Sequence, residues 1–277
     1  MQQVEDQVVH IQPFSKSQAI FWKDVFDHRQ VFKAMVIRNW KLQFQTKYLS
    51  YLWPIAQPLM VTIAFMFLRR ATNASPDVAI PFPLYLFSGL VLWYYFVRVT
   101  TEVSASLRRE AGVIKKIFFP RILIPAVPVA QNLMNFAVAA IPTLLLMIYF
   151  QVLPSWNIFL LPFVILQVMA LCFGIGCIWA AVTLIAEDLD QVLGLLLYVA
   201  LFVSPVMFAP TGRSSVIDRL LSLNPMSGSL MAFRSTLFAD IPFPWMSFGY
   251  SLVFSAVALQ LGIRTFRRME NDMVDNL

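Results

Sequence analysis

Residues 122–186 contain no charged side chain. A helix needs about 20 apolar residues to cross the hydrocarbon core of a membrane, so this run is too long for one span. Turn-forming residues stand near its middle, at Gln151, Pro154, Ser155 and Asn157. The run therefore predicts two membrane-spanning helices joined by a short turn, and with them a polytopic membrane protein.

The composition also favours a membrane protein. Hydrophobic residues make up 59% of the 277 residues and charged residues only 13%, about half the share of an ordinary soluble protein. The net charge of +6 does not indicate nucleic-acid binding, because membrane proteins carry excess Lys and Arg in their cytoplasmic loops. Cys172 and Cys177 lie inside the charge-free run, where we expect small, buried thiols.

Charge-free runs of suitable length predict six spans, at 51–68, 80–97, two within 122–186, 191–210 and 241–263. Residues 1–50 lack the apolar core of a signal peptide, which predicts an amino terminus in the cytoplasm. With that orientation 16 of the 21 Lys and Arg residues fall on the cytoplasmic side, so both termini are predicted there. The predicted parts are a cytoplasmic segment at 1–50, a transmembrane domain at 51–266 and a cytoplasmic tail at 267–277.

The segment 211–240, between the fifth and sixth spans, is too long for a tight turn and too apolar for a free loop. Its leucines recur at near-helical spacing and Asn224-Pro225 interrupts them. This pattern predicts a re-entrant hairpin of two short helices on the outer side. The predicted fold class is therefore an all-α integral membrane protein with six transmembrane helices, this hairpin and an amino-terminal interfacial helix.

The interfacial helix is predicted from residues 31–48, where apolar positions alternate with basic ones that include Arg38, Lys41 and Lys47. Such a helix lies along the cytoplasmic surface of the membrane. The pattern alone fits a plain membrane anchor with no partner equally well.

The loop between the second and third spans mixes cations with large apolar residues such as Phe118 and Phe119. Its cations are Arg108, Arg109, Lys115, Lys116 and Arg121. Membrane topology explains the cations, but it does not explain apolar side chains exposed to the cytosol. The loop therefore predicts a short helix that docks into the groove of a partner protein.

The sequence argues against several other classes of membrane protein. His10 and His28 are the only histidines and both precede the first span, which excludes an intramembrane Ser-His pair or a His-ligated metal. No carboxylate falls at mid-depth of a predicted span, and the phosphate-binding G-x-x-x-x-G-K-[ST] pattern is missing. Energy for transport would have to come from another chain. Gly174 and Gly176 predict close helix packing.

Five stretches carry a resemblance to a known family. They are RNWKLQFQTKYLSYLWPIAQPL (38–59), VIKKIFFPRILIP (113–125), EDLDQVL (187–193), SPVMF (204–208) and NPMSGSLMAFRSTLF (224–238). Their order resembles the membrane subunit of ABC exporters of the ABC-2 type, in particular the permeases that export O-antigen, teichoic acid and related polysaccharides. The basic-aromatic-proline block at 114–121 is the most specific of the five.

The resemblance implies a homodimer of this subunit with two copies of a separate ATPase, which binds ATP and Mg; this chain would hold no cofactor or metal and no catalytic residue. It implies coupling to the ATPase through Arg108, Arg109, Glu110, Lys115, Lys116, Phe118, Phe119 and Arg121. It implies a conduit lined by aromatic residues of the first and fifth spans, for which we name Tyr51, Trp53, Phe65, Tyr198, Phe202 and Phe208. It implies an outer gate around Asn224, Pro225 and Arg234, and an interfacial helix that carries Arg38, Lys41 and Lys47.

The resulting expectation is export of a polysaccharide linked to undecaprenyl diphosphate, with O-antigen first, across the bacterial inner membrane. An exporter of the same architecture for teichoic acid, capsule, lipid or drug is the main alternative. An intramembrane enzyme acting on polyprenyl-linked sugars would need histidines or carboxylates at mid-depth. An accessory subunit without a path of its own is a third alternative.

Overall fold

The computed structural model describes residues 26–45, 52–72, 80–110, 112, 120–183, 186, 188–207, 221 and 223–276. Within these residues the chain forms helices and no strand. The helices are α1 (Arg29–Gln45), α2 (Trp53–Thr72), α3 (Phe82–Ser104), α4 (Ser106–Arg109), α5 (Leu123–Tyr149), a 3₁₀ turn (Trp156–Leu160), α6 (Leu161–Thr183), α7 (Leu189–Phe202), α8 (Pro225–Leu237) and α9 (Trp245–Asn276).

Four helical stretches within the described residues are long and apolar enough to cross a membrane, which confirms four of the six predicted spans. They are Phe82–Ser104, Leu123–Tyr149, Trp156–Thr183 and Trp245–Met269. The first predicted span forms α2, but Pro58 lies inside that helix and Arg69 and Arg70 occupy its last turn. The fifth forms α7, whose 14 residues extend about 21 Å, less than the roughly 30 Å of the hydrocarbon core.

The predicted turn inside the charge-free run is confirmed. α5 ends at Tyr149, and Gln151 follows with a positive φ of 55°, which reverses the chain direction. The Ser155 hydroxyl then accepts a hydrogen bond from the Asn157 N–H at 3.1 Å and caps the 3₁₀ turn that leads into α6. The long run therefore forms two helices, α5 and α6, joined by this turn.

α3 is the centre of the bundle, since most of its side chains are buried among α5, α6, α2 and α8. Elsewhere in the bundle the most extensive helix–helix contact is between α6 and α9, which approach closely at Gly174 and Gly262. A Cβ on either glycine would overlap the backbone of the other helix. This bears out the prediction of close packing at Gly174, and the thiols of Cys172 and Cys177 are free and buried as expected.

The amino-terminal helix and the helix after the Asn224-Pro225 break both exist. α1 packs on α5 and buries Met35, while Ile37 and Leu42 are exposed. α8 begins at the predicted break, and its side chains are almost all buried. The other arm of the predicted hairpin, at 208–220, lies outside the described residues, so the hairpin stays a prediction.

Candidate functional site

The first candidate region, which we call the α4 end, joins α4 to the start of α7. The Arg108 guanidinium forms an ion pair with the Asp190 carboxylate, and its Nη1 donates to the Thr183 carbonyl at 3.3 Å. Ser104, in the last turn of α3, donates from its hydroxyl to the same Asp190 carboxylate at 3.0 Å. α3 runs into α4 after one intervening residue, Ala105, so these contacts tie one continuous helical segment to α7.

A second ion pair at the α4 end joins α4 to α1. Arg38 Nη2 lies 2.7 Å from Glu110 Oε1, with the two side chains 43% and 19% exposed. The helix that was predicted to lie along the membrane surface is thereby linked to the loop that was predicted to dock on a partner. Among the described residues, α1, α4 and α7 form a chain of charged contacts.

The predicted coupling and interfacial residues divide into three groups. Arg108, Glu110 and Arg38 have side-chain partners within the chain, whereas the side chain of Arg109 is exposed and has no hydrogen bond or ion pair in the part of the chain that the structure describes. Arg121 is half-buried just before α5, and Lys41 is exposed on α1. The remaining predicted residues, Lys47, Lys115, Lys116, Phe118 and Phe119, lie outside the described residues.

A polar network beside the α4 end was not predicted from the sequence. Glu102 on α3 accepts hydrogen bonds from Arg98 Nε at 3.1 Å and from the Asn132 amide of α5 at 2.6 Å. The Asn135 amide donates to Asn132 at 2.9 Å, and the Gln43 amide of α1 donates to Asn135 at 3.2 Å. Gln131 extends the network by donating to Gln43. Three amides within five positions of an otherwise apolar span were a signal that could have found it.

The second candidate region, which we call the α8 end, is built around Arg234. Its side chain is only 1% exposed, and no carboxylate of the described residues pairs with it. Its Nη1 donates to the Pro205 carbonyl at 2.5 Å, and Nη2 donates to the carbonyls of Val206 at 2.8 Å and Tyr85 at 3.0 Å. The guanidinium carbon also lies 3.5 Å from the centroid of the Tyr85 ring. Carbonyl dipoles and a π-face therefore stabilise this buried charge.

Gly89 on α3 makes the room that the Arg234 guanidinium occupies. A Cβ built on Gly89 would overlap Nη2 of Arg234. The guanidinium cannot move aside freely, because three carbonyl oxygens hold it. α3, α8 and the turn after α7 thus meet at one buried point.

The other predicted gate residues, Asn224 and Pro225, hold the same turn. The Asn224 amide donates to the Ser204 hydroxyl at 2.7 Å and to the Val203 carbonyl at 3.2 Å. Its side-chain oxygen caps α8 by accepting from the Met226 N–H, and Pro225 fills the first position of α8. The structure brings all three predicted gate residues together on α8, against the end of α7.

The predicted conduit residues lie on α2 and α7. Trp53, Tyr198 and Phe202 are exposed, while Phe65 packs against the core. Tyr51 and Phe208 lie outside the described residues. α7 presents a wide exposed apolar face, which is compatible with lipid, with another protein chain or with a conduit.

The comparison with known families decides the class. The family model for the ABC-2 type transporter matches residues 30–238. The chain belongs to the ABC-2 type transporter family. The match to this ABC-2 transporter chain covers the whole α4 end and stops one residue after α8.

Curated relatives of this ABC-2 transporter chain include export permeases and a transport protein. The "O-antigen export system permease protein RfbA" of Myxococcus xanthus is 23% identical over 78% of this chain and 83% of its own length. A Klebsiella pneumoniae protein of the same name is 25% identical over 71% and 76%. The "Polysialic acid transport protein KpsM" of Escherichia coli is 23% identical over 87% and 94%.

Proposed function

We propose that this chain is the membrane subunit of an exporter that moves a polysaccharide linked to undecaprenyl diphosphate, O-antigen first, across the bacterial inner membrane. The observation that carries the proposal is the set of O-antigen export permeases to which the chain is similar over more than two thirds of both lengths. The working unit is a homodimer bound to two copies of a separate ATPase, which binds ATP and Mg. Both termini face the cytoplasm.

Six spans belong to the same proposal. α2 and α7 complete the membrane domain together with the four longer helices, and α8 forms one arm of a re-entrant hairpin at the outer face. Trp53, Tyr198 and Phe202 are exposed on the surface of one subunit, which suits a path completed by the second subunit. Flat aromatic rings offer the apolar faces of sugars a surface along which to move.

Coupling is proposed to run through residues 108–121. The ATPase docks on this loop, and the Arg108–Asp190 ion pair passes its movement to α7. The Arg38–Glu110 ion pair passes it to α1. Support comes from the direct connection of one short helix to two others that reach different parts of the membrane domain.

The first experiment purifies the tagged chain from its native membrane in mild detergent and identifies bound proteins and ATP hydrolysis. We expect a stoichiometric ATPase subunit, and we expect a variant with Lys115, Lys116 and Phe118 changed to Ala to stop export while the subunit still folds. Arg268→Ala, at an exposed position of α9, is the matched control. Normal export by the triple variant, or a lone chain without nucleotide turnover in several gentle detergents, contradicts the proposal.

The ion pair to α7 gives a sharper test. Asp190→Asn should reduce export at least about fivefold, because a coupling free energy of 1–3 kcal/mol corresponds to roughly 5–150-fold. The ATPase should still co-purify, since Asp190 lies at the start of α7 rather than in the docking loop. The exchange Arg108→Asp with Asp190→Arg should restore part of the export.

Asp188→Asn is the control, because Asp188 is exposed and its side chain has no partner among the described residues. If Asp190→Asn exports as well as Asp188→Asn, the ion pair does not transmit coupling.

A capsule-type polymer is the second candidate cargo. The polysialic acid transport protein is 23% identical, in the range of the O-antigen permeases, and its match covers more of both chains. Deletion of the gene should leave polymer inside the cell, and the chemical class of that polymer distinguishes O-antigen from capsule. Cells that accumulate no polymer would point to a lipid or drug exporter of the same architecture.

A further inference from the structure

Two neighbouring cavities lie at the end of the bundle on which α1 packs. One, of about 390 Å³, is bounded by α2, α3 and α5, and the other, of about 330 Å³, by α1, α3, α4 and α5. Arg98 lines both, so this residue stands where they meet. The cavities differ in character, which makes the pair informative.

The cavity against α2 is mainly apolar and aromatic. Its walls include Trp53, Tyr94, Tyr95 and Phe136. Trp53 is exposed at the first turn of α2, and tryptophan prefers the depth at which lipid headgroups meet acyl chains. This cavity suits the upper part of a lipid tail better than a free ion.

The cavity against α1 is charged, with two arginines and two glutamates in its walls. Glu102 is paired with Arg98, and Glu110 is paired with Arg38. Arg109 also lines this cavity, and its side chain has no hydrogen-bond or ion-pair partner among the described residues. Arg98 bonds Glu102 through Nε only, and its side chain is 38% exposed, so its Nη groups are available to another acceptor.

Neutral sugar hydroxyls are a poorer match than an anion. The amides of Gln43, Asn132 and Asn135 would be the natural partners of hydroxyl groups, but they are already hydrogen-bonded to one another and to Glu102. The charged groups that the two cavities leave available are guanidinium groups. Guanidinium groups match the geometry of phosphate oxygens and keep their charge at every physiological pH.

We propose that the two cavities together bind one phosphate-bearing lipid, with its phosphate between Arg98 and Arg109 and its tail against Trp53 and Tyr94. The phosphate belongs either to a bilayer phospholipid or to a polyprenyl phosphate such as the carrier of the cargo. Only the second source depends on the proposed function. In both cases the lipid fills the space between α1 and α2 and connects the polar network to the membrane.

Native mass spectrometry of the detergent-purified full chain measures the binding. The probes are palmitoyl-oleoyl phosphatidylglycerol, the diacylglycerol with the same chains, and undecaprenyl phosphate. We expect the phosphatidylglycerol to bind at least about tenfold more tightly than the diacylglycerol, because a charge-assisted hydrogen bond contributes that much or more. Arg268→Gln, on the exposed face of α9 and outside both cavities, should bind as well as the wild type.

The double variant Arg98→Gln/Glu102→Gln removes both charges and leaves no unpaired one, and it should bind phosphatidylglycerol at least about tenfold more weakly. Arg109→Gln, at an exposed position, is a second variant that should fold and also bind more weakly. Equal binding of diacylglycerol and phosphatidylglycerol, or unchanged binding by both variants, overturns the proposal.

The third probe identifies the source of the phosphate. Displacement of phosphatidylglycerol by a tenfold lower concentration of undecaprenyl phosphate supports a carrier lipid, and comparable affinity supports a bilayer phospholipid. These measurements use the permease without its ATPase, so a failure of export leaves them intact. Loss of lipid binding likewise leaves the assignment of cargo untouched.

Discussion

The α4 end and the α8 end each hold an arginine against the segment that begins or ends α7, but the two arginines are stabilised in different ways. Arg108 pairs with a carboxylate, and the side chains of this pair are 22% and 34% exposed. Arg234 is buried and donates only to backbone carbonyls and a ring face. Partly exposed ion pairs stabilise a protein by about 0–1 kcal/mol, whereas breaking a buried charged network costs about 3–5 kcal/mol. The ion pair at the α4 end can therefore rearrange at little cost in free energy, whereas the contacts of Arg234 at the α8 end cannot.

Removing the fixed charge should have the largest effect on stability. The methionine of Arg234→Met can occupy the space of the arginine side chain, but it leaves the carbonyls of Tyr85, Pro205 and Val206 without their donor. We expect a loss of about 3 kcal/mol and a melting temperature about 5–10 °C lower in thermal unfolding of the detergent-purified protein.

Arg268→Met on the exposed face of α9 is the matched control and should melt like the wild type. A melting temperature of Arg234→Met within about 1 °C of the wild type would mean that the buried contacts do not stabilise the fold. The α8 end would then be no more rigid than the α4 end.

Filling the space beside Arg234 should have the next largest effect. Gly89→Ala places a methyl group where the guanidinium lies, and overpacking of this kind costs about 1–3 kcal/mol. Gly249→Ala on α9 is the control, because a Cβ there meets nothing within 4 Å. The same unfolding measurement applies, and we expect only the Gly89 variant to melt at a lower temperature.

Combining Gly89→Ala with Arg234→Met tests whether the two residues act together. Residues in contact show non-additive effects, so the double variant should lose less stability than the two single variants predict. Additive losses would show that the effect of Gly89→Ala comes from somewhere other than the guanidinium.

The fold was predictable where a signal is local to the sequence. Absence of charge located the spans at 122–186, and residues with turn preferences located the break between α5 and α6. The length of a helix is less local: α7 ends at Phe202 although the apolar run continues to Pro210, because the turn at 203–207 is held by side chains of α8. Pro205 within the run favours a helix end nearby, but it does not fix the last residue, which depends on these contacts.

The candidate site was predictable in position but not in chemistry. The resemblance located Arg234 at a gate and the sequence placed it in an outer hairpin, but neither predicted that it is buried against Tyr85, 149 positions away along the chain. Arg108 is predicted to contact a partner, and its ion pair with Asp190 inside the chain was not predicted. Partners so distant in sequence depend on how the helices pack, and charge counting does not report packing.

Removing the exposed ion pair to α1 should have the smallest effect on stability, and it tests whether the α4 end can rearrange. Glu110→Gln leaves Arg38 exposed to solvent, which can hydrate it, so we expect a stability loss below about 1 kcal/mol. Raising the salt from about 50 mM to about 500 mM should reduce even this difference, because the Debye length shortens severalfold. The exchange Arg38→Glu with Glu110→Arg should melt like the wild type.

If Glu110→Gln instead lowers the melting temperature as far as Arg234→Met does, and salt does not change the difference, the α4 end is as rigid as the α8 end. Movement of the docking loop could then reach α1 and α7 only by displacing the whole bundle.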